Sequence, residues 1–170
     1  MSIEELQSAL AERFPEAVSD VSADAKTYRA AVRRESLAAV CRALKAEFGF
    51  DYLACLAGVD RGEHIEVVYV LYGMATGREV LLRAAAPKAD CRMPSVSDVW
   101  QAAQWHERET AEMLGVTFDG HPDPRHLLLP DGWAGYPLRK DYEPQPDYTR
   151  PSQLDPDDWA EFARHVLEEY

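Results

Sequence analysis

Residues 51–86 read DYLACLAGVDRGEHIEVVYVLYGMATGREVLLRAAA, and the fold turns on how they are divided. Three apolar runs, 51–57, 64–72 and 78–86, are separated by Asp60-Arg61-Gly62 and by residues 73–77. Connections this short predict antiparallel hairpins. In the third run Val80, Leu82 and Ala84 alternate with Glu79 and Arg83, as in a strand with one wet face. The first two runs are apolar on both faces, the pattern of interior strands.

The flanks supply helices. Upstream, Leu37, Val40, Cys41, Leu44 and Phe48 follow a 3.6-residue period, with Ser36 placed as a cap and Gly49 as an end. Before that, residues 18–21 and 26–32 suit short strands joined by a turn at 22–24. A first helix over 2–14 carries Ile3, Leu6, Leu10 and Phe14 on one stripe, with Ser2 and Glu5 spaced as a capping box. Downstream, residues 87–94 read as a loop. Ser95 and Asp98 form a second capping-box pattern, and a helix over 104–114 ends at Gly115. A meander between helices predicts an α+β domain of two layers, a mainly antiparallel sheet packed by helices.

From residue 116 the chain changes character. Pro122, Pro124, Pro130 and Pro137 each remove a backbone donor and extend the residue before them. Between them lie Leu127, Leu128, Leu129, Trp133, Tyr136 and Leu138. A stretch this apolar, without regular structure of its own, needs a surface to lie on. We expect residues 1–118 to form the α+β domain. Residues 119–170 then make an extended, proline-rich arm and a closing helix that contact partner subunits. The closing helix is read from Asp155-Pro156 as its start and from Trp159, Phe162, Ala163, Val166, Leu167 and Tyr170 as its apolar stripe.

Composition narrows the function. A formal charge of −12 over 170 residues argues against nucleic acid, whose phosphates would repel it. No apolar run reaches the ~18 residues of a membrane span, and the opening MSIEELQ lacks the basic-then-apolar form of a secretion signal. We therefore expect a soluble, intracellular chain, peripheral to a membrane at most. Cys41, Cys55 and Cys91 are widely spaced, which favours buried, reduced thiols over an iron–sulfur or disulfide site.

The charged residues of the helix over 104–114 invite a catalytic reading. Glu107 and Glu109 stand two apart, about 200° around a helix from one another, so they cannot serve one reacting centre. Arg108 and Glu112, four apart, can pair. His106, Glu109, His121 and His126 raise a metal, but the pattern His-Glu-x-x-His lacks its second histidine at Thr110. Arg125, Arg139 and Lys140 lie among Asp123, Asp131 and Asp141, which suits arginine forks matched to carboxylates across an interface. Our reading is a partly covered charged stripe that holds the arm and a partner in register. Trp100, Trp105, Trp133 and Trp159 can serve as contact anchors or core.

A chain of motifs carries a resemblance. ERE at 107–109 and EMLG at 112–115 are followed by GHPDPR at 120–125, LLLP at 127–130 and GYPLRKDYEP at 135–144. In that order they resemble the C subunit of respiratory NADH:quinone oxidoreductase (complex I), the 30 kDa-type subunit family. Glu112 stands where that family usually has Asp, Leu114 for Phe, Pro124 for Leu, His126 for Arg and Tyr136 for His; Thr110-Ala111 replaces Val-Tyr.

The resemblance implies a non-catalytic structural subunit of the peripheral arm of a proton-translocating complex, at the cytoplasmic face of the cell membrane. It would brace a large hydrogenase-like quinone-site subunit and a small iron–sulfur subunit, with FMN and iron–sulfur clusters carried elsewhere in the complex. No catalytic, cofactor or metal site is expected in this chain. The expected partner-interface residues are Trp105, Glu107, Arg108, Glu109, Glu112, Gly115, His121, Pro122, Arg125, Pro130, Gly135, Pro137, Arg139, Lys140, Asp141 and Tyr142. Two rivals stand beside this reading. One is the same subunit type in a membrane-bound nickel–iron hydrogenase or a deazaflavin-coupled dehydrogenase. The other is a free-standing metal hydrolase built on His106, Glu109, His121 and His126.

Overall fold

The computed structural model describes residues 3–143 apart from Ala25 and Asp131. The predicted closing helix lies outside the described residues. Strand β1 (Val18–Ala23) and β2 (Thr27–Val32) follow helix α1 (Ile3–Arg13). Helix α2 (Leu37–Ala46) leads to β3 (Tyr52–Asp60), β4 (His64–Gly73) and β5 (Arg78–Pro87). A short strand β6 (Arg92–Pro94), helix α3 (Ala103–Leu114) and strand β7 (Thr117–Asp119) complete the series.

The main sheet runs β1-β2-β5-β4-β3 and is antiparallel except where β2 lies beside β5. Register sets one inward face. Leu53, Leu71, Val80 and Tyr28 form one row across the sheet, and Leu56, Tyr69, Leu82 and Ala30 the next. These residues share one buried cluster with Leu6 and Leu10 of α1, with Leu37, Val40, Cys41 and Leu44 of α2, and with Ala103 and Leu114 of α3. Each large side chain fully buried there stabilises the fold by about 1.5–3 kcal/mol. The expected two-layer α+β architecture is the one found.

Several sequence expectations are corrected. β3, expected inside the sheet, lies at its edge. Its outward positions are open, so Cys55 is exposed, whereas Cys41 and Cys91 are buried. The mismatch follows from register: a bulge between Leu53 and Cys55 turns the thiol to the outer face, opposite Val70. Ser95 and Asp98 do not close a box. The Asp98 carboxylate takes the Arg42 guanidinium at 2.8 Å, and α3 begins only at Ala103. The loop expected at 87–94 ends in β6, which pairs in parallel with β7 (Met93 opposite Phe118) and fixes how the chain leaves α3.

Candidate functional site: a helix that holds the arm

Helix α3 packs on β3 with little room between them. A Cβ on Gly58 would sit 2.3 Å from Leu114 Cδ1 and 2.9 Å from Thr110 Cγ2. This contact orients the helix so that 3.6-residue winding sends Glu107 inward and Glu109 to solvent. The divergence expected of those two carboxylates is realised, and their environments are opposite.

Glu107 is fully buried yet satisfied. Its Oε2 accepts from the Ser95 hydroxyl at 2.6 Å and its Oε1 from the Val96 amide at 2.7 Å. Ser95 Oγ in turn accepts from the Ser97 amide at 3.1 Å. Glu107 thus does from a distant helix what Asp98 was expected to do locally: it stabilises the turn that starts at Ser95. Burial pushes its carboxyl pKa up, against the opposing pull of those two donors.

The next two turns of α3 hold the arm by its main chain. Arg108 donates from Nε to the carbonyl of Arg125 (2.8 Å) and from a terminal nitrogen to that of His126 (2.6 Å). Glu112 accepts three consecutive amides, Leu127 at 2.9 Å, Leu128 at 2.8 Å and Leu129 at 3.2 Å. Arg108 and Glu112, expected to be able to pair, each bind the arm instead of each other. A carboxylate meeting a run of N–H groups satisfies donors that proline-broken backbone cannot pair internally.

At the C-terminus of α3, Gly115 takes φ +73°, the left-handed conformation that closes the helix. Here the arm returns. The Leu138 amide donates to Met113 O at 3.0 Å, and Arg139 Nε donates to Leu114 O at 2.7 Å. A guanidinium on the last carbonyls meets the negative end of the helix dipole. It also lies over the Tyr136 ring, 4.5 Å from the centroid. Both groups rest against Gly115, where a Cβ would come within 2.5 Å of the ring and 2.6 Å of the guanidinium.

The arm is tied once more at the sheet. Asp60 accepts from the Lys140 amide (2.9 Å), Lys88 Nζ (2.9 Å) and the Gly62 amide (2.7 Å), and Lys88 also reaches Asp141 at 3.3 Å. Those donors, Lys140 first, hold the Asp60 carboxyl well below the usual carboxylate range. Gly135, at φ +81°, makes the close turn against Tyr142, whose ring would lie 2.9 Å from an added Cβ.

His121 is an internal turn residue. The Asp123 amide donates to its Nδ1 at 3.0 Å, which leaves the ring proton on Nε2, facing Gln104 O at 3.0 Å. Both nitrogens are thereby occupied, and Glu109 points away to solvent. Among the described residues no group of three or more His, Cys, Asp or Glu side chains could hold a metal ion. Arg125 forks onto Asp123 at 2.8 Å within its own chain. A cavity of about 250 Å³ remains between α3 and the arm, lined by Ala111, Val116, Phe118, Pro124 and Tyr136 with Glu107 and His121.

Several large apolar side chains face outward among the charged ones. Trp105, Leu128 and Leu138 are 61%, 62% and 62% exposed, and Tyr136 is 41% exposed. Pro122 and Pro130 are exposed beside them, while Pro137 is half-buried. Trp100, by contrast, is core, with its indole N–H donating to Phe50 O at 3.2 Å. Sequence reasoning missed Asp60, Lys88, Ser95 and Gln104. Asp60 carried only a turn signal, Ser95 only a capping-box pattern, and nothing local marked Lys88 or Gln104.

Comparison with known proteins gives this arrangement a context. The family model described as the 30 kDa subunit of respiratory-chain NADH dehydrogenase matches residues 30–148. The C subunit of the NADH-quinone oxidoreductase of Acidothermus cellulolyticus is 43% identical over 136 residues, 76% of this chain and 71% of that one. Its counterpart in Geobacter metallireducens is 36% identical over 137 residues, 78% of this chain and 85% of its own. The counterpart in Chloroherpeton thalassium is 50% identical over 101 residues, 58% of this chain but only 42% of the longer relative. Among solved structures, the trypsin-resistant fragment (1–134) of Nqo5 aligns with a TM-score of 0.59 at 30% identity, covering 71% of this chain and 96% of the fragment. A chain of the membrane-bound sulfane sulfur reductase, an archaeal respiratory membrane complex, aligns with a TM-score of 0.67 at 24% identity over 82% of this chain and 85% of that one, a likeness of fold alone.

Proposed function

Because this chain belongs to the family of the 30 kDa subunit of respiratory-chain NADH dehydrogenase, we propose that it serves as a non-catalytic brace in the peripheral arm of a complex I-like NADH:quinone oxidoreductase. One observation carries this: α3 fixes the arm by its main chain and leaves Trp105, Leu128, Tyr136 and Leu138 facing out. Apolar side chains carried on a backbone tied by these hydrogen bonds are suited to docking, since less conformational freedom is lost on binding.

Its partners in this reading are the large hydrogenase-like quinone-site subunit and the small iron–sulfur subunit. FMN and iron–sulfur clusters would be carried in other subunits, and the complex would translocate protons. No helix among the described residues is long and apolar enough to cross a membrane. We place the subunit at the cytoplasmic face, attached through the complex. Of the expected interface residues, Trp105, Glu109, Pro122, Pro130 and Lys140 face outward, Arg108, Glu112, Gly115 and Arg139 act through the arm, and Glu107 acts through the turn that starts at Ser95.

The test is purification of the tagged full chain from its native membranes in mild detergent, with mass spectrometry of what accompanies it. Recovery of a quinone-site subunit and an iron–sulfur subunit in fixed ratio supports the reading. Recovery of the chain alone as a stable monomer overturns it.

A further inference from the structure

The two edges of the main sheet are built differently. β1 is guarded: a register shift falls between Ser19 and Ser22, Asp20 takes φ +48°, and the strand is polar and open to solvent. β3 has no such protection along most of its length. Residues 52–59, YLACLAGV, carry no charge and no proline. After the bulge at Ala54, residues Cys55 to Asp60 pair in regular register with β4, which leaves their other side at the sheet boundary.

The outer face beside this edge is apolar too. Cys55, Val70 and Leu81 form one outward row, and Ala57 and Val68 begin the next. Cys55 and Ala57 are exposed, and Val68, Val70 and Leu81 are half-buried. β3 thus has the two-faced apolar composition of an interior strand in a terminal position. Monomeric proteins avoid that combination because open ladder groups recruit another chain.

We infer that β3 is completed in the assembly by a sixth strand from another subunit, one that is uncharged on its outward side and less acidic than this chain. Charge weighs against a second copy, since two chains of −12 each repel one another. The tail of this chain is a poor occupant on sequence grounds. Pro144, Pro146 and Pro151 lack ladder donors, and the stripe from Trp159 to Tyr170 has helical spacing. Position favours a partner. β3 abuts α3 through Gly58, and α3 carries the outward Trp105, so a single neighbour can engage both surfaces. The inference rests on the docking role proposed above and adds its mode: main-chain hydrogen bonds along residues 55–59.

Cys55 is a native reporter, exposed while Cys41 and Cys91 are buried. Two measurements compare the full chain alone with the purified complex: alkylation by N-ethylmaleimide followed by mass spectrometry, and amide hydrogen exchange over residues 52–60. In the complex, both the Cys55 alkylation rate and the exchange of the outward amides of β3 should fall roughly tenfold or more. If the thiol is shielded but the amides still exchange freely, the face is covered without strand addition and the inference fails. If neither changes in a complex that has its full set of subunits, it fails while the docking role stands. Absence of any co-purifying subunit is the separate failure of that role. Protection that appears in the lone chain also overturns the inference, whether it depends on concentration (a second copy) or vanishes on truncation after residue 143 (the tail). An Ala57→Lys variant should fold with unchanged thermal stability but fail to enter the complex, and normal incorporation counts against the proposal.

Discussion

Replacing Glu112 by alanine should free the arm without unfolding the domain. The carboxylate accepts three amides at 2.9, 2.8 and 3.2 Å and is almost wholly buried. Hydrogen bonds to a charged group are worth ~1.5–3 kcal/mol each. Their sum is an upper bound, because an arm that lifts regains water at all three amides. The other ties, at Arg108, Arg139 and Asp60, remain in place. We expect local docking of residues 125–130 to weaken by about 2–3 kcal/mol, which is roughly a 30- to 150-fold faster amide exchange at Leu127, Leu128 and Leu129. Among the described residues the buried cluster contains none beyond Phe118, so the melting temperature should fall only slightly. Hydrogen exchange read by NMR on the full chain is the assay. Wild-type exchange at those three amides in Glu112→Ala would refute the view that this carboxylate holds the arm.

Gly115→Ala should be costlier. It places a side chain at φ +73° and 2.5 Å from the Tyr136 ring, so we expect a loss of about 2 kcal/mol and a melting temperature lower by roughly 4–8 °C; no change would mean the helix end is not as tightly packed as described. The buried Glu107 gives a pH signature. Its carboxyl titrates above the unfolded value, so the folded state binds the extra proton; that stability is present in full below the ordinary carboxylate range and is lost as pH rises through the raised pKa. Urea midpoints between pH 4 and 7 should therefore fall less steeply with rising pH in Glu107→Gln than in the wild type, and parallel curves would contradict this. Asp60 has the opposite sign. Its depressed carboxyl contributes stability above the ordinary range that is lost on acidification, so Asp60→Asn should show at neutral pH the faster exchange at residues 138–142 that the wild type shows only in strong acid. Exchange that stays at the wild-type rate in that variant would remove Asp60 as an anchor of the arm. Finally, Leu138→Asp should leave urea stability within ~0.5 kcal/mol yet lower recovery of the chain in the complex more than tenfold, and undiminished recovery would remove Leu138 from the docking surface.

The fold was largely legible because its signals are periodic and local. Alternation of Val80, Leu82 and Ala84, the 3.6-residue stripe of α2 and the glycine closing α3 each act within a few residues. Edge position is not local. Nothing in residues 52–59 says which strand is last, and an apolar pattern alone misassigns β3 to the interior. The site divides in the same way. Helical winding separated Glu107 from Glu109, but the partners of Glu107 and Glu112 lie 11 to 17 residues away on chain whose path only β6 and β7 determine. Asp60 and Lys140 are 80 apart in sequence, beyond any spacing rule. The motif chain did locate the right stretch, because the residues that bind the arm and the arm itself are the ones that resemble the family.

The chief fasteners along the arm grip peptide groups: carbonyls of Arg125 and His126, amides from Leu127 to Leu129, the amides of Leu138 and Lys140. Such a grip is blind to side-chain identity. A substitution at Leu128 or Leu138 therefore changes what this ribbon displays without loosening the peptide contacts that route it across its own helix.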